Sequence, residues 1–148
     1  MYFIKVRPDR NIRRLHNRMQ KLMGEMMNLN RPLHYSSESV WIPEADMFET
    51  EHEVFLMVNL AGVRREDIEV TCDENYLRVG GKRIQTIPTG MPARYHQLEM
   101  GHGQFERIFR LPAMIDKEQI EAAYEDGLLA VRMKKLQGPS RIYVKVRP

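Results

Sequence analysis

Between Gly103 and Met133 the chain alternates apolar with polar residues, the period of two that an extended strand with one buried face requires. From Gly103 to Pro112, Phe105, Arg107, Phe109 and Leu111 fall on one side. Ile120, Ala122 and Tyr124 then alternate with charged or small residues, Asp126-Gly127 supplies a tight turn, and Leu129, Val131 and Met133 alternate on the return. The same period holds upstream. Val54 to Leu60 reads as a strand ended by Ala61-Gly62, while Ile68, Val70 and Cys72 share one face with Glu69, Thr71 and Asp73 opposite. Glu74-Asn75 turns the chain into Tyr76 to Lys82, with Leu77 and Val79 inward. Many short strands from Trp41 onward, with no helical period between them, predict an all-β, antiparallel β-sandwich.

The period changes at both ends. Ile12, Leu15, Met19, Leu22, Met23 and Met26 recur as one face of a helix, with Arg10, Arg13, Arg14, Arg18 and Lys21 largely on the other. Asn28 to Ser39, rich in Asn and Ser and holding Pro32, breaks that helix. Five of the eleven methionines lie in residues 1–27. The apolar face either packs on its own domain or forms an adaptable surface, since methionine is flexible and repacks against unrelated partners. A basic amphipathic helix also suits an acidic membrane surface, although membrane association is not expected. Between Arg83 and His102 lies a long loop with Pro88, Gly90, Pro92 and Gly101 and a short extended run around Arg94 to Leu98; so long a loop is usually functional or mobile. Gln137-Gly138-Pro139-Ser140 stops the last strand, after which Ile142 to Val146 reads as a short strand with Ile142 and Val144 on one face. The expected divisions are an arm over 1–40, a β-domain over 41–136 and a tail over 137–148.

Composition narrows the function. The net charge of +3 is distributed as +6 over residues 1–35, −8 over 36–133 and +5 over 134–148. Two basic arms flanking an acidic body solubilise the chain, or dock on the bodies of other copies. Nucleic-acid binding ranks last, because the basic clusters carry no stacking aromatics or binding motif. No apolar run reaches the length of a membrane span, and the charged N-terminus lacks the apolar stretch of a secretory leader. The single cysteine, Cys72, fits a reducing cytoplasm, and its register places it on an apolar face, where a thiol is inert. His16, His34, His52, His96 and His102 have no metal-ligand spacing, and Gly80-Gly81-Lys82 lacks the remaining residues of a phosphate loop. No enzyme, metal or cofactor is expected.

Several motifs, in order and spacing, resemble the small heat-shock protein (alpha-crystallin) family over about residues 41 to 144. They are Trp41-x-Pro43-x-x-Asp46-x-x-Glu49, Leu60-Ala61-Gly62-Val63-x-x-Glu66-Asp67-Ile68, Gly103-x-Phe105-x-Arg107-x-Phe109-x-Leu111-Pro112, and Ala122-x4-Gly127-Leu128-Leu129-x-Val131. Ala61 stands where the family usually has proline, and Lys135-Leu136 replaces its usual Leu-Pro-Lys exit. The resemblance implies an immunoglobulin-like sandwich with a partly helical N-terminal arm and an extended C-terminal tail. It implies an ATP-independent chaperone, a cytoplasmic stress-response holdase that binds non-native client proteins and self-associates to dimers and larger homo-oligomers. Ile142-Tyr143-Val144 is similar to the family's C-terminal Ile-x-Ile/Val motif, which docks between the fourth and eighth strands of a neighbouring domain. Inward alternation nominates Ile68, Val70, Ile120 and Ala122 for that groove. The long loop matches the form in which a short strand swaps onto the partner, which makes Arg94, Tyr95, His96 and Arg107 candidate dimer contacts. Arg107, on an apolar-facing position, needs a carboxylate or carbonyl to tolerate burial. Ile12, Leu15, Met19, Leu22, Met23 and Met26 become the candidate client-binding face. The alternative is a scaffolding module that assembles through the same sandwich without protecting clients.

One feature lies outside the family pattern. Ile4-Lys5-Val6-Arg7-Pro8 echoes Val144-Lys145-Val146-Arg147-Pro148. If the match is more than chance, Ile4-x-Val6 competes for the same groove.

Overall fold

The computed structural model describes residues 1–27, 41–73, 75–85, 92, 94, 96–97 and 99–136, with backbone alone for 21–27. Nine strands, one α-helix and a 3-10 turn (Arg65–Asp67, between β4 and β5) occur among them, with the strands and α-helix in the order β1 (Tyr2–Ile4), β2 (Val6–Pro8), α1 (Ile12–Met27), β3 (Ala45–Glu49), β4 (Glu53–Asn59), β5 (Ile68–Cys72), β6 (Tyr76–Arg83), β7 (Gly103–Arg110), β8 (Ile115–Glu125) and β9 (Leu128–Lys135). They form a five-stranded sheet in the order β1-β8-β9-β4-β3 and a four-stranded sheet in the order β2-β5-β6-β7.

Alternation builds the space between the sheets. Val54, Leu56 and Val58 of β4 and Leu129, Val131 and Met133 of β9 are fully or almost fully buried, and they meet Val70, Leu77, Val79 and Phe105 from the facing sheet in one cluster. The β8–β9 hairpin turns where the sequence places it. Asp126 and Gly127 have φ of 50° and 81°, the left-handed pair that a two-residue turn with the right twist needs. Gly127 has a second constraint, because a Cβ there would lie 2.8 Å from the Ala61 Cα. The Tyr124 hydroxyl ties the same corner down, placed 2.9 Å from the Leu60 carbonyl and 2.8 Å from that of Val63, with one proton to donate between them. The turn therefore holds with alanine at 61 in place of proline.

Gly80-Gly81 is a packing device. A Cβ at Gly81 would collide with the Asp67 carbonyl and stand 2.7 Å from the Phe105 ring. Residue 81 must be glycine for β6 to pass between Phe105 of β7 and the Asp67 carbonyl ahead of β5, three strands of the one four-stranded sheet.

Three expectations need correction. The antiparallel description holds for every strand pairing except β2 with β5, which is parallel. Residues 2–8, assigned from sequence to the arm, are β1 and β2, and they join both sheets. The extended run expected around Arg94 to Leu98 is described only at Arg94, His96 and Gln97, and its expected pairing is with a second copy rather than within this chain. Within the arm, α1 begins as the periodicity predicts, but Ile12 is wholly buried and so is no part of an exposed face. The His16 ring packs at a tilt of 39° against Tyr76 of β6, with centroids 5.1 Å apart, which holds the first two turns of the helix to the sandwich.

Candidate functional site

A β-sandwich whose sheets are open on one side presents two rows of unpaired backbone groups, one from each sheet. On one side of this domain those rows belong to β8 and β5. Tyr2, Phe3 and Ile4 pair antiparallel with Tyr124, Ala123 and Ala122 of β8. Lys5 crosses between the sheets, and Val6, Arg7 and Pro8 then pair parallel with Val70, Thr71 and Cys72 of β5. One seven-residue segment thus adds a strand to both sheets.

Side chains and backbone both fix it. Ile4 and Val6 lie on the inner side and pack against the core cluster. Phe3 is 66% exposed on the outer side. Arg65 donates to the Phe3 carbonyl at 2.8 Å, and its guanidinium stands 5.3 Å from the centre of the Tyr2 ring. The Arg7 guanidinium lies 4.0 Å from the Glu69 carboxylate, and the Asp9 amide donates to the Cys72 carbonyl at 2.8 Å. The exposed Arg7–Glu69 pair is a weak contact that orients more than it stabilises.

The groove candidates occupy this edge. Ile68 and Val70 lie on β5, and Ile120 and Ala122 on β8. Val70 pairs with Val6, and Ala122 pairs with Ile4. Ile68, Val70 and Ala122 are buried, and Ile120 is partly buried against the same cluster. The placement of these four residues on the inner faces of β5 and β8 was legible from inward alternation. The edge's N-terminal occupant was visible in the sequence only as a short echo, because three-residue strands carry too few positions for a period to show.

The remaining candidates are not brought together. Ile142 and Val144 lie outside the described residues, as does Tyr95. Arg94 and His96 are exposed. Arg107 is half-buried and has found a carbonyl: its Nη1 donates to the Pro43 oxygen at 2.6 Å, and its guanidinium stands 4.9 Å from the Phe109 ring. Its need for a partner is therefore met within the chain. On α1, Leu15 and Met19 are partly exposed, while the side chains of Leu22, Met23 and Met26 lie outside the described residues.

Two arrangements escaped sequence reasoning. Arg83 is buried at the base of the long loop, where it donates to the Gly101 carbonyl at 2.9 Å and covers the Trp41 ring at 3.9 Å. Arg78 joins two strands, donating to Glu106 at 2.8 Å and to Glu69 at 3.0 Å. Both depend on strand register, to which sequence spacing is blind. Chemistry of the catalytic kind has no foothold at Cys72, whose burial pushes the thiol up to about 11. Among the described residues no group of three His, Cys, Asp or Glu side chains is placed to hold a metal, and no helix is long and apolar enough to cross a membrane.

Comparison with known proteins agrees with this architecture. Residues 46–147 match the model of the Hsp20/alpha crystallin family. The chain is 30% identical over 123 residues to small heat shock protein C4 of Rickettsia felis, covering 83% of this chain and 74% of that protein. Among solved structures it is similar to heat shock protein 16.0 from Schizosaccharomyces pombe, with a TM-score of 0.59 and 30% identity over 71% of this chain and 99% of that one. A small heat-shock protein from Xylella fastidiosa, described as having a distinct high order structure, superposes with a TM-score of 0.60 at 26% identity, over 74% of this chain and all of that one (100%). The sandwich and the extent of these matches lead to one conclusion: the chain belongs to the Hsp20/alpha-crystallin family, the small heat-shock protein chaperones.

Proposed function

We propose that this protein is an ATP-independent holdase of the cytoplasm, which captures partly unfolded chains and assembles through its C-terminal tail. The observation that carries the reading is the β5–β8 edge, which accepts an extended segment on both sheets at once. Strand addition takes its affinity from main-chain hydrogen bonds and its selectivity from pockets for alternate side chains. Such a site suits an Ile-x-Val tail from a neighbouring copy. The apolar face of α1 beyond Ile12 supplies adaptable surface for clients, with Leu15 and Met19 at its described end. Dimers form through the long loop, with Arg94, Tyr95 and His96 as contacts. Arg107 supports that loop's neighbour strand from within the chain, through its bond to Pro43.

The test is light scattering from a heat-labile client, without nucleotide, at increasing ratios of this protein. Suppressed aggregation is the expected result, and unchanged scattering at molar excess would overturn the holdase reading. Assembly is tested separately by changing Ile142 and Val144 to alanine. Each fully buried aliphatic side chain contributes about 2 kcal/mol, so multi-angle scattering should show large particles collapsing to dimers. Unchanged mass would overturn the tail's role.

A scaffolding role is the second reading, favoured by the buried Ile12 and by the tilted packing of His16 against Tyr76, which give the helix an ordered contact on its own domain. The client assay separates the two.

A further inference from the structure

The segment that fills the edge is repeated at the other end of the chain over more than its core. Tyr2-Phe3-Ile4-Lys5-Val6-Arg7-Pro8 aligns with Ile142-Tyr143-Val144-Lys145-Val146-Arg147-Pro148. Lysine, the second valine, arginine and proline are identical, Ile4 faces Val144 in the alignment, and aromatic Phe3 faces aromatic Tyr143.

Several of these positions have a task in the bound N-terminal copy. Ile4 and Val6 pack on the core, Lys5 crosses between the sheets, and Arg7 lies 4.0 Å from Glu69. The position of Phe3 sends its carbonyl to Arg65 and its ring outward, where with Phe55 and Ala123 it lines an apolar recess on the outer face of the five-stranded sheet. Val144, Val146, Arg147 and Tyr143 offer the same chemistry at the same spacing.

We infer that Tyr2–Pro8 is a built-in plug for the tail groove, and that the 142–148 segment of a second copy displaces it by adopting the same register. Val144 then takes the place of Ile4, and Val146 that of Val6. The inner pair of the tail is thus Val144 and Val146, two residues beyond the Ile142–Val144 pair of the proposed function. Ile142 falls at the position of Tyr2, which is 59% exposed. The inference rests on tail docking and adds its competitor and its register. One groove holds one insert, so tail affinity is reduced by the fraction of domains whose plug is in place.

The probe is a fluorescein-labelled peptide of residues 137–148, followed by anisotropy. The receptor is the full chain carrying Ile142→Ser, Val144→Ser and Val146→Ser, so that its own tails do not compete. Adding Ile4→Ser and Val6→Ser to the receptor should tighten binding by about tenfold or more, since a plug seated in nine domains of ten withholds that factor. A second receptor keeps Ile4 and Val6 and instead joins the paired positions Phe3 and Ala123 by Phe3→Cys and Ala123→Cys. Oxidation should abolish peptide binding, and reduction should restore it. Within the peptide, Val146→Ser should weaken binding as much as Val144→Ser, and Ile142→Ser less than either.

Equal affinity for plugged and unplugged receptors overturns the plug while leaving tail docking intact. Loss of binding with Ile142→Ser but not with Val146→Ser overturns the register. A peptide that binds neither receptor overturns tail docking and the inference together. Client protection in the scattering assay is read independently of all three.

Discussion

The centre and the rim of this sandwich use the same backbone pairing at different depth. β4 and β9 pair at seven positions, from Glu53 with Lys134 to Asn59 with Leu128. Val54, Leu56, Val58, Leu129 and Met133 on them are wholly buried. At the rim, β1 and β2 pair at three positions each, and Ile4 and Val6 are only partly buried. A strand held by many pairs and a filled core opens only with global unfolding, whereas a short strand on an edge opens locally at a fraction of that free energy. The rim is therefore where the exchange of one insert for another proposed above would cost the fold least.

Core substitutions should break the comparison first. Leu56→Ala, at the centre of β4, should cost about 2–5 kcal/mol in urea unfolding, from lost transfer energy and the cavity left behind. Ile4→Ala, at the rim, should cost less than about 1.5 kcal/mol, because only part of its side chain leaves water. Equal losses at the two positions would erase the distinction between centre and rim.

The corner that joins them is next in size. Tyr124→Phe removes the proton shared by the Leu60 and Val63 carbonyls and should cost about 1–2 kcal/mol. An unchanged denaturation midpoint would mean that the hydroxyl does not hold that turn.

The smallest effect at neutral pH, where it is nil, belongs to the Cys72 thiol. Burial pushes the Cys72 thiol from 9.0 to about 11, so the folded chain keeps its proton after the unfolded chain has released it. Fewer protons on the unfolded state mean that stability falls as pH rises between about 9 and 11, by at most about 1.4 kcal/mol per pH unit, and is unaffected below that window. Denaturant midpoints across pH 7–11, compared with Cys72→Ala, isolate this slope. A native thiol that reacts with a soluble disulfide reagent at pH 7 as fast as the unfolded one would contradict its burial.

Much of the centre was legible because each cue there is local. Phe105, Phe109 and Leu111 announce β7 by alternation, and Asp126-Gly127 announces its turn by conformational need. The inward faces of the β5 and β8 edge were legible for the same reason, through Ile68, Val70, Ile120 and Ala122. What was not legible depends on residues distant in sequence. Arg107 signals that it needs a partner, but only the fold reveals the Pro43 carbonyl. Gly81 resembles part of a phosphate loop until Asp67 and Phe105 are brought against it. Ile12 follows the helical period of Leu15 and Met19, and nothing in that period says which member is buried. β1 and β2 are the extreme case: three residues each, paired with strands more than sixty and more than a hundred residues away, and of two orientations.

Hydrogen–deuterium exchange of the full chain, with and without saturating 137–148 peptide, tests most directly whether the rim is an exchangeable site. The predicted result is faster exchange over residues 2–8 when peptide is added, while β5 and β8 keep their protection because a new strand replaces the old. β4 and β9 should remain the slowest in both states. Peptide bound with residues 2–8 as protected as before would contradict the exchange of one insert for the other.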